Sequence, residues 1–187
     1  MRLQRTRKSE AGMSLLEVMI AGVVLITGLL VGVLPMITYG VTTMRASDEE
    51  TIAKQKGRQI MESIYGARAT QLGWDSVKMT SDPCTTNGTS VVCGVFVPNP
   101  QPMYAAGNDG IMGTADDADA GIESTVMANG QVRTLSEFKR EIKIKPYTDA
   151  DGNDVPTLRQ IIVDITYPYG NGLKRTYEIK GLISQYK

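Results

Sequence analysis

Residues 18–37 carry no charged side chain, and Leu, Ile, Val and Met dominate them. As an α-helix rising about 1.5 Å per residue, such a run is about 30 Å long, the thickness of a bilayer's hydrocarbon core. A helix apolar on every side is buried in a large core or in a membrane, and the length of this run predicts a membrane span. Gly22, Gly28 and Gly32 punctuate it, and Gly28 and Gly32 form a small-xxx-small pair through which another helix could approach closely. Pro35 lies late in the run, where the missing N–H predicts a kink or a local opening of the helix.

Orientation follows from the flanks. Arg2, Arg5, Arg7 and Lys8 precede the run, and Arg45 is the first cation after it. The positive-inside rule therefore puts the N-terminus in the cytoplasm and the remainder outside. A cleaved secretory signal would need a shorter apolar region and a small-residue site of the A-x-A kind. The sequence instead continues LPMITYGVTTMRASDEE, which predicts a segment that stays in the membrane. The formal charge of the whole chain is zero, so no global charge points to nucleic acid. Without its first twelve residues, which hold four cations and the single acid Glu10, the chain would be net negative by three.

A plain anchor leaves Glu17 unexplained. It sits at the head of the apolar run, and an ionised carboxylate in hydrocarbon costs several kcal/mol unless it is paired. The residues around it read Gly12, Met13, Ser14, Leu15, Leu16, Glu17, Val18. This resembles the class III signal of type IV pilins and pseudopilins, with its prepilin-type methylation motif. There a basic leader ends in glycine, a hydrophobic residue opens the mature chain, glutamate is its fifth residue, and a long apolar helix follows. Met13 departs from the usual phenylalanine. The resemblance implies cleavage by a prepilin peptidase between Gly12 and Met13, and methylation of the new Met13 amine. It also implies that Glu17 pairs with the N-terminal amine of a neighbouring subunit, an assembly role. A carboxylate facing an ammonium in a packed helix bundle costs far less than one alone in lipid, and such a pair would mark the register between helices. The bland reading of Glu17 is an interfacial residue that snorkels.

Beyond the membrane the helix pattern continues. Ala53, Ile60, Ile64 and Ala67 recur at helical spacing, flanked by Ile52, Met61 and Leu72, with Asp48, Glu49, Lys54, Lys56 and Arg58 mostly on other faces. Gly57 and Gly66 weaken its regularity. From Gly73 onward the pattern turns to strands. Phe138, Ile142 and Ile144 interleave with Lys139, Glu141, Lys143 and Lys145. Ile161, Val163, Ile165 and Tyr167 form a second period-two set, and Tyr177, Ile179 and Ile183 a third. DADGND and PYGNG supply turns between them, which predicts an antiparallel meander. Residues 90–97 read as a further strand. The predicted fold is therefore α+β: a long N-terminal helix, half membrane and half amphipathic, packed on a small antiparallel sheet. Pilins share this layout. The blocks are a leader over 1–12, a membrane and assembly helix over 13–37, its amphipathic continuation over 38–72, and a periplasmic β-rich domain over 73–187.

Cys84 and Cys93 flank the turn-like PCTTNGTSVVC. In an oxidising compartment this spacing can close a small hairpin loop as a disulfide; the other reading is two free buried thiols. Asn87-Gly88-Thr89 matches a glycosylation sequon, but reads better as an Asn-Gly hairpin turn. Two acidic loops follow. GNDGIMGTADDADAG, residues 107–121, offers Asn108, Asp109, Asp116, Asp117 and Asp119 between glycines, an oxygen-rich set of the kind calcium takes, though without EF-hand spacing. The plain alternative is a solvated loop. DADGND, residues 149–154, reads as a hairpin turn before a calcium loop. Trp74, Tyr167, Tyr169, Tyr177 and Tyr186 suit sheet packing or a contact surface.

The chain has no histidine, no nucleophile elbow, no phosphate loop and no cysteine-based metal set, which points away from an enzyme. The expected role is a structural one, made as a prepilin in the inner membrane and assembled with other pilin subunits into a periplasmic or cell-surface filament. The apolar run resembles minor pilins of the PilV kind most closely. The alternatives are a minor pseudopilin of a type II secretion system, or a periplasmic binding domain that is anchored and never polymerises.

Overall fold

The computed structural model describes residues 14–127, 130–170 and 172–186. The sites assigned to Gly12 and Met13 lie outside these residues. The described chain falls into two units, divided between Met44 and Arg45.

The first unit is helical throughout. Helix α1 covers Leu15–Gly28, with Ser14 as its N-cap accepting from the Leu16 amide at 3.3 Å. Five residues, Leu29–Val33, then form a π-helical turn, and the Leu34 amide donates to the Leu29 carbonyl. Pro35 explains the place of this widening. It has no N–H to give, and its ring crowds the carbonyl four residues back, on Val31. The expected local opening is therefore present, and the helix survives it. Helix α2 resumes at Leu34 and runs to Thr70. Among the described residues, every side chain of the first unit is exposed.

From Arg45 on, α2 turns one stripe inward. Ile52, Ala53, Ile60, Met61, Ile64 and Ala67 are buried, which is the predicted set less Leu72, which packs half-buried against the core. Gly57 lies on this stripe because a Cβ there would sit 3.1 Å from the ring of Tyr177. The stripe shares one core with a four-stranded antiparallel sheet of order β3-β6-β7-β8: Gln101–Pro102, Lys139–Thr148, Asp154–Tyr169 and Leu173–Ser184. The meander β6-β7-β8 is the predicted one. In register Ile142 faces Val163 and Ile144 faces Ile161, so their inward side chains meet the helix. An α+β class follows.

Two hairpins complete the unit. β1 (Thr85–Asn87) pairs with β2 (Ser90–Val92), and β4 (Ser124–Val126) pairs with β5 (Val132–Thr134). The first is closed by the Cys84–Cys93 disulfide. Its loop residues are Gly88 and Thr89, with Gly88 at φ 63°, so the turn centres one residue later than the Asn-Gly reading. The strand expected over 90–97 stops at Val92. After the disulfide, Gly94 presses against the backbone of Lys78 and Met79, and Phe96 enters the core beside Met79 through a single parallel bridge. The cross-link ends the ladder because the chain must leave the hairpin there to bury Phe96.

Candidate functional site

The N-terminal helix and the acidic loop hold the candidate residues. Glu17 stands in the first turn of α1, exposed, with its amide donating to the Ser14 carbonyl at 2.9 Å. A carboxylate there opposes the positive end of the helix dipole, a contribution of about 0.3–1 kcal/mol. Around and after it Leu15, Leu16, Val18, Met19, Ile20, Val23 and Leu25 are all more than half exposed. Burying one such side chain is worth about 1.5–3 kcal/mol, so a row of them in water is untenable. Among the described residues one helix is long and apolar enough to cross a membrane, and it lies near the N-terminus.

The polar groups inside this apolar stretch are turned inward on the backbone. The Thr27 hydroxyl donates to the Val23 carbonyl at 2.8 Å, Thr38 to Pro35 at 2.8 Å, and Thr42 and Thr43 to Tyr39 at 2.8 Å. Hydrocarbon requires this, since it offers a hydroxyl no partner. Glu17 is the charged exception, with no such side-chain partner among the described residues.

In the acidic loop the five candidate residues do not converge. Asp117 is the pivot: 1% exposed, it pairs with the equally buried Arg140 of β6. Its two oxygens also accept from the Gly107 amide at 2.8 Å and the Gly113 amide at 2.6 Å. Gly113, at φ 100° and packed on the Ile142 side chain, has room for no other residue. Arg140 donates in turn to the Tyr104 carbonyl at 3.0 Å. Asp116 accepts from the Thr114 hydroxyl at 2.7 Å and the Asp109 amide at 3.2 Å, and the Thr114 bond holds its carboxyl below the usual carboxylate range. Asp109 accepts from the Ile111 amide at 2.8 Å. Asn108 and Asp119 are exposed. Among the described residues no group of three or more histidine, cysteine or acidic side chains is arranged to hold a metal ion. The carboxylates nearest the core spend their oxygens on the protein's own donors, which folds the loop onto β6.

Sequence reasoning missed Arg140, and a signal was there. It shares parity with Phe138, Ile142 and Ile144, so the alternation that buries them buries its guanidinium too. A charge on the inward face requires a buried partner, and the two acidic loops were the rich sources. Two further ion pairs clamp the second hairpin and the segment before it onto α2: Glu49 with Arg133 at 2.8 Å and Lys56 with Glu123 at 2.5 Å. In DADGND, Asp149 accepts from the Asp151 amide at 3.0 Å and the Asn153 amide at 2.8 Å, closing the β6–β7 hairpin as a turn.

No family model, curated protein or solved structure matches this chain.

Proposed function

We propose that this chain is a structural subunit of a filament of the type IV pilin kind, a minor pilin, made with a leader and cut after Gly12. One observation carries the reading: a carboxylate, Glu17, in the first turn of a helix whose following side chains are exposed and apolar. In lipid alone that carboxylate is a cost with no return. In a bundle of like helices it finds an ammonium, the α-amine freed at Met13 of a neighbour. The pair sets how far one subunit stands above the next. Its worth lies in register more than in stability, because desolvating both charges offsets most of their attraction. The disulfide supports an oxidising compartment for the second unit, as export across the inner membrane would give.

Intact mass and N-terminal sequencing of the protein from its native membranes test this directly. A start at methylated Met13 is the expected result; a start at Met1 would mean a retained anchor and would sink the proposal. Glu17→Ala then separates register from folding. The variant should keep the thermal unfolding midpoint of the second unit and lose incorporation into sheared filaments. Wild-type incorporation would remove Glu17 from the assembly mechanism.

A further inference from the structure

The sheet has two unlike edges. One is the two-residue strand β3, which ends at Pro102. The other is β8, twelve residues long and paired only with β7. The Tyr65 hydroxyl donates to the Leu182 carbonyl at 3.2 Å, which marks Leu182 as a residue whose backbone groups face away from β7. In an antiparallel ladder alternate residues share that direction, so Thr176, Glu178 and Lys180 also present their N–H and C=O groups outward. Long open edges of this kind pair readily with another strand.

At the end of this edge lies a cleft of about 300 Å³ lined by Tyr65, Arg68, Ala69, Leu182, Ser184 and Tyr186. Arg68 is 7% exposed, and its Nε has no hydrogen-bond partner. Its other nitrogens donate to the Leu72 and Gln185 carbonyls, and its Cζ lies 5.8 Å from the centre of the Trp74 ring. Among the described residues no carboxylate lies within ion-pair distance of it. A buried cation held only by neutral groups is a standing deficit of negative charge. Along β8 itself Lys180 pairs with the one acid, Glu178, at 2.9 Å, which leaves Lys174 and Arg175 as its excess cations.

We propose that β8 receives an extended acidic segment of a partner protein, which adds as a strand along residues 174–180 and places a carboxylate against Arg68. The open ladder supplies backbone bonds, and the cationic edge selects for acid. The guanidinium in the cleft fixes the register of the incoming strand. This inference does not depend on the filament reading.

The test uses the full chain in detergent micelles and a fluorescein-labelled octapeptide of alternating threonine and valine closed by two glutamates. Fluorescence anisotropy should show saturable binding. Replacing both glutamates by glutamine should weaken it at least ~10-fold, since a charge-assisted hydrogen bond to Arg68 is lost. That comparison leaves the protein untouched, so misfolding cannot imitate it. Arg68→Gln should erase the preference between the two peptides. Thr176→Pro, which removes an outward N–H that the β7 ladder does not use, should weaken both peptides alike. Equal affinity for the two peptides, or no binding at millimolar concentration, overturns the proposal. So does concentration-dependent self-association that Thr176→Pro abolishes, because the occupant would then be a second copy of this chain.

Discussion

Ile37 and Ile60 are the same residue type on the same helix, yet Ile37 is 56% exposed and Ile60 is 0%. The backbone of α2 treats them alike; their surroundings do not. After Met44 the helix is amphipathic and its apolar stripe is answered by β6, β7 and β8 of its own chain. Before Met44 its apolar side chains are exposed, and nothing among the described residues of its own unit covers them. Helical structure alone therefore says little about what stabilises a helix. One half draws on a core, while the other needs lipid or other helices, and each half should respond to different substitutions.

The sharpest break of that comparison is at Arg140. Arg140→Met leaves the Asp117 carboxylate buried without its counter-charge, a loss of about 3–5 kcal/mol. That is a large part of the 5–15 kcal/mol or so that usually holds a domain together. Thermal unfolding of the full chain in micelles should show it, while resistance of the helix to alkaline extraction from membranes should not change. Adding Asp117→Asn removes the buried charge and keeps one acceptor oxygen, enough for either the Gly107 or the Gly113 amide, so the double variant should recover part of the loss. No recovery would mean that the pair is held for shape and not for charge balance.

The isoleucines provide the matched pair. Ile60→Ala should cost the second unit about 2–5 kcal/mol, the range for a fully enclosed aliphatic side chain. Ile37→Ala should move its unfolding midpoint by no more than about 0.5 kcal/mol, as an exposed substitution does. A comparable loss from both, read by the same thermal melt, would mean that residues 34–44 are packed by the chain after all.

How much of this could be read from residues alone depended on period. The stripe from Ile52 to Ala67 repeats every 3.6 residues and the meander every two, and both patterns are long enough to specify their partners. Glu17 was legible because a charge in an apolar run has no local excuse. The division of roles within the acidic loop was not legible, for the opposite reason. Asp109, Asp116 and Asp117 look equivalent in sequence, but only Asp117 lies opposite an inward-facing arginine more than twenty residues away. Nothing local marks which carboxylate will be enclosed. The short strand β2 was overextended because alternation beyond Cys93 continues on paper, while the disulfide and the burial of Phe96 redirect the chain.

The disulfide gives a smaller effect. The hairpin it closes is largely exposed, and the Lys78 ammonium ties it to the unit by donating to the Pro83 carbonyl at 2.7 Å and the Thr85 hydroxyl at 2.6 Å. Replacing Cys84 and Cys93 together by serine should cost about 2 kcal/mol, the low end for a short loop. Hydrogen exchange should rise within residues 84–93 and stay unchanged in β6 and β7. Global loosening would show that the cross-link supports the core as well as the hairpin.

The smallest effect is a pH dependence, and it too belongs to the second unit alone. The Asp116 carboxyl is held below its ordinary value of 3.8, first by the Thr114 hydroxyl and then by backbone amides including that of Asp109. A group whose folded pKa is depressed stabilises the fold above its unfolded pKa and loses that contribution as pH falls through the folded one. The contribution is therefore fully present well above about pH 4 and is lost progressively as the pH falls below that through the depressed folded value. Asp116→Asn should flatten the acid side of the stability profile and leave the neutral plateau nearly unchanged, because asparagine can still accept from Thr114. The group is near solvent, so screening keeps the change slight. An acid limb identical to wild type would assign that limb to other carboxylates.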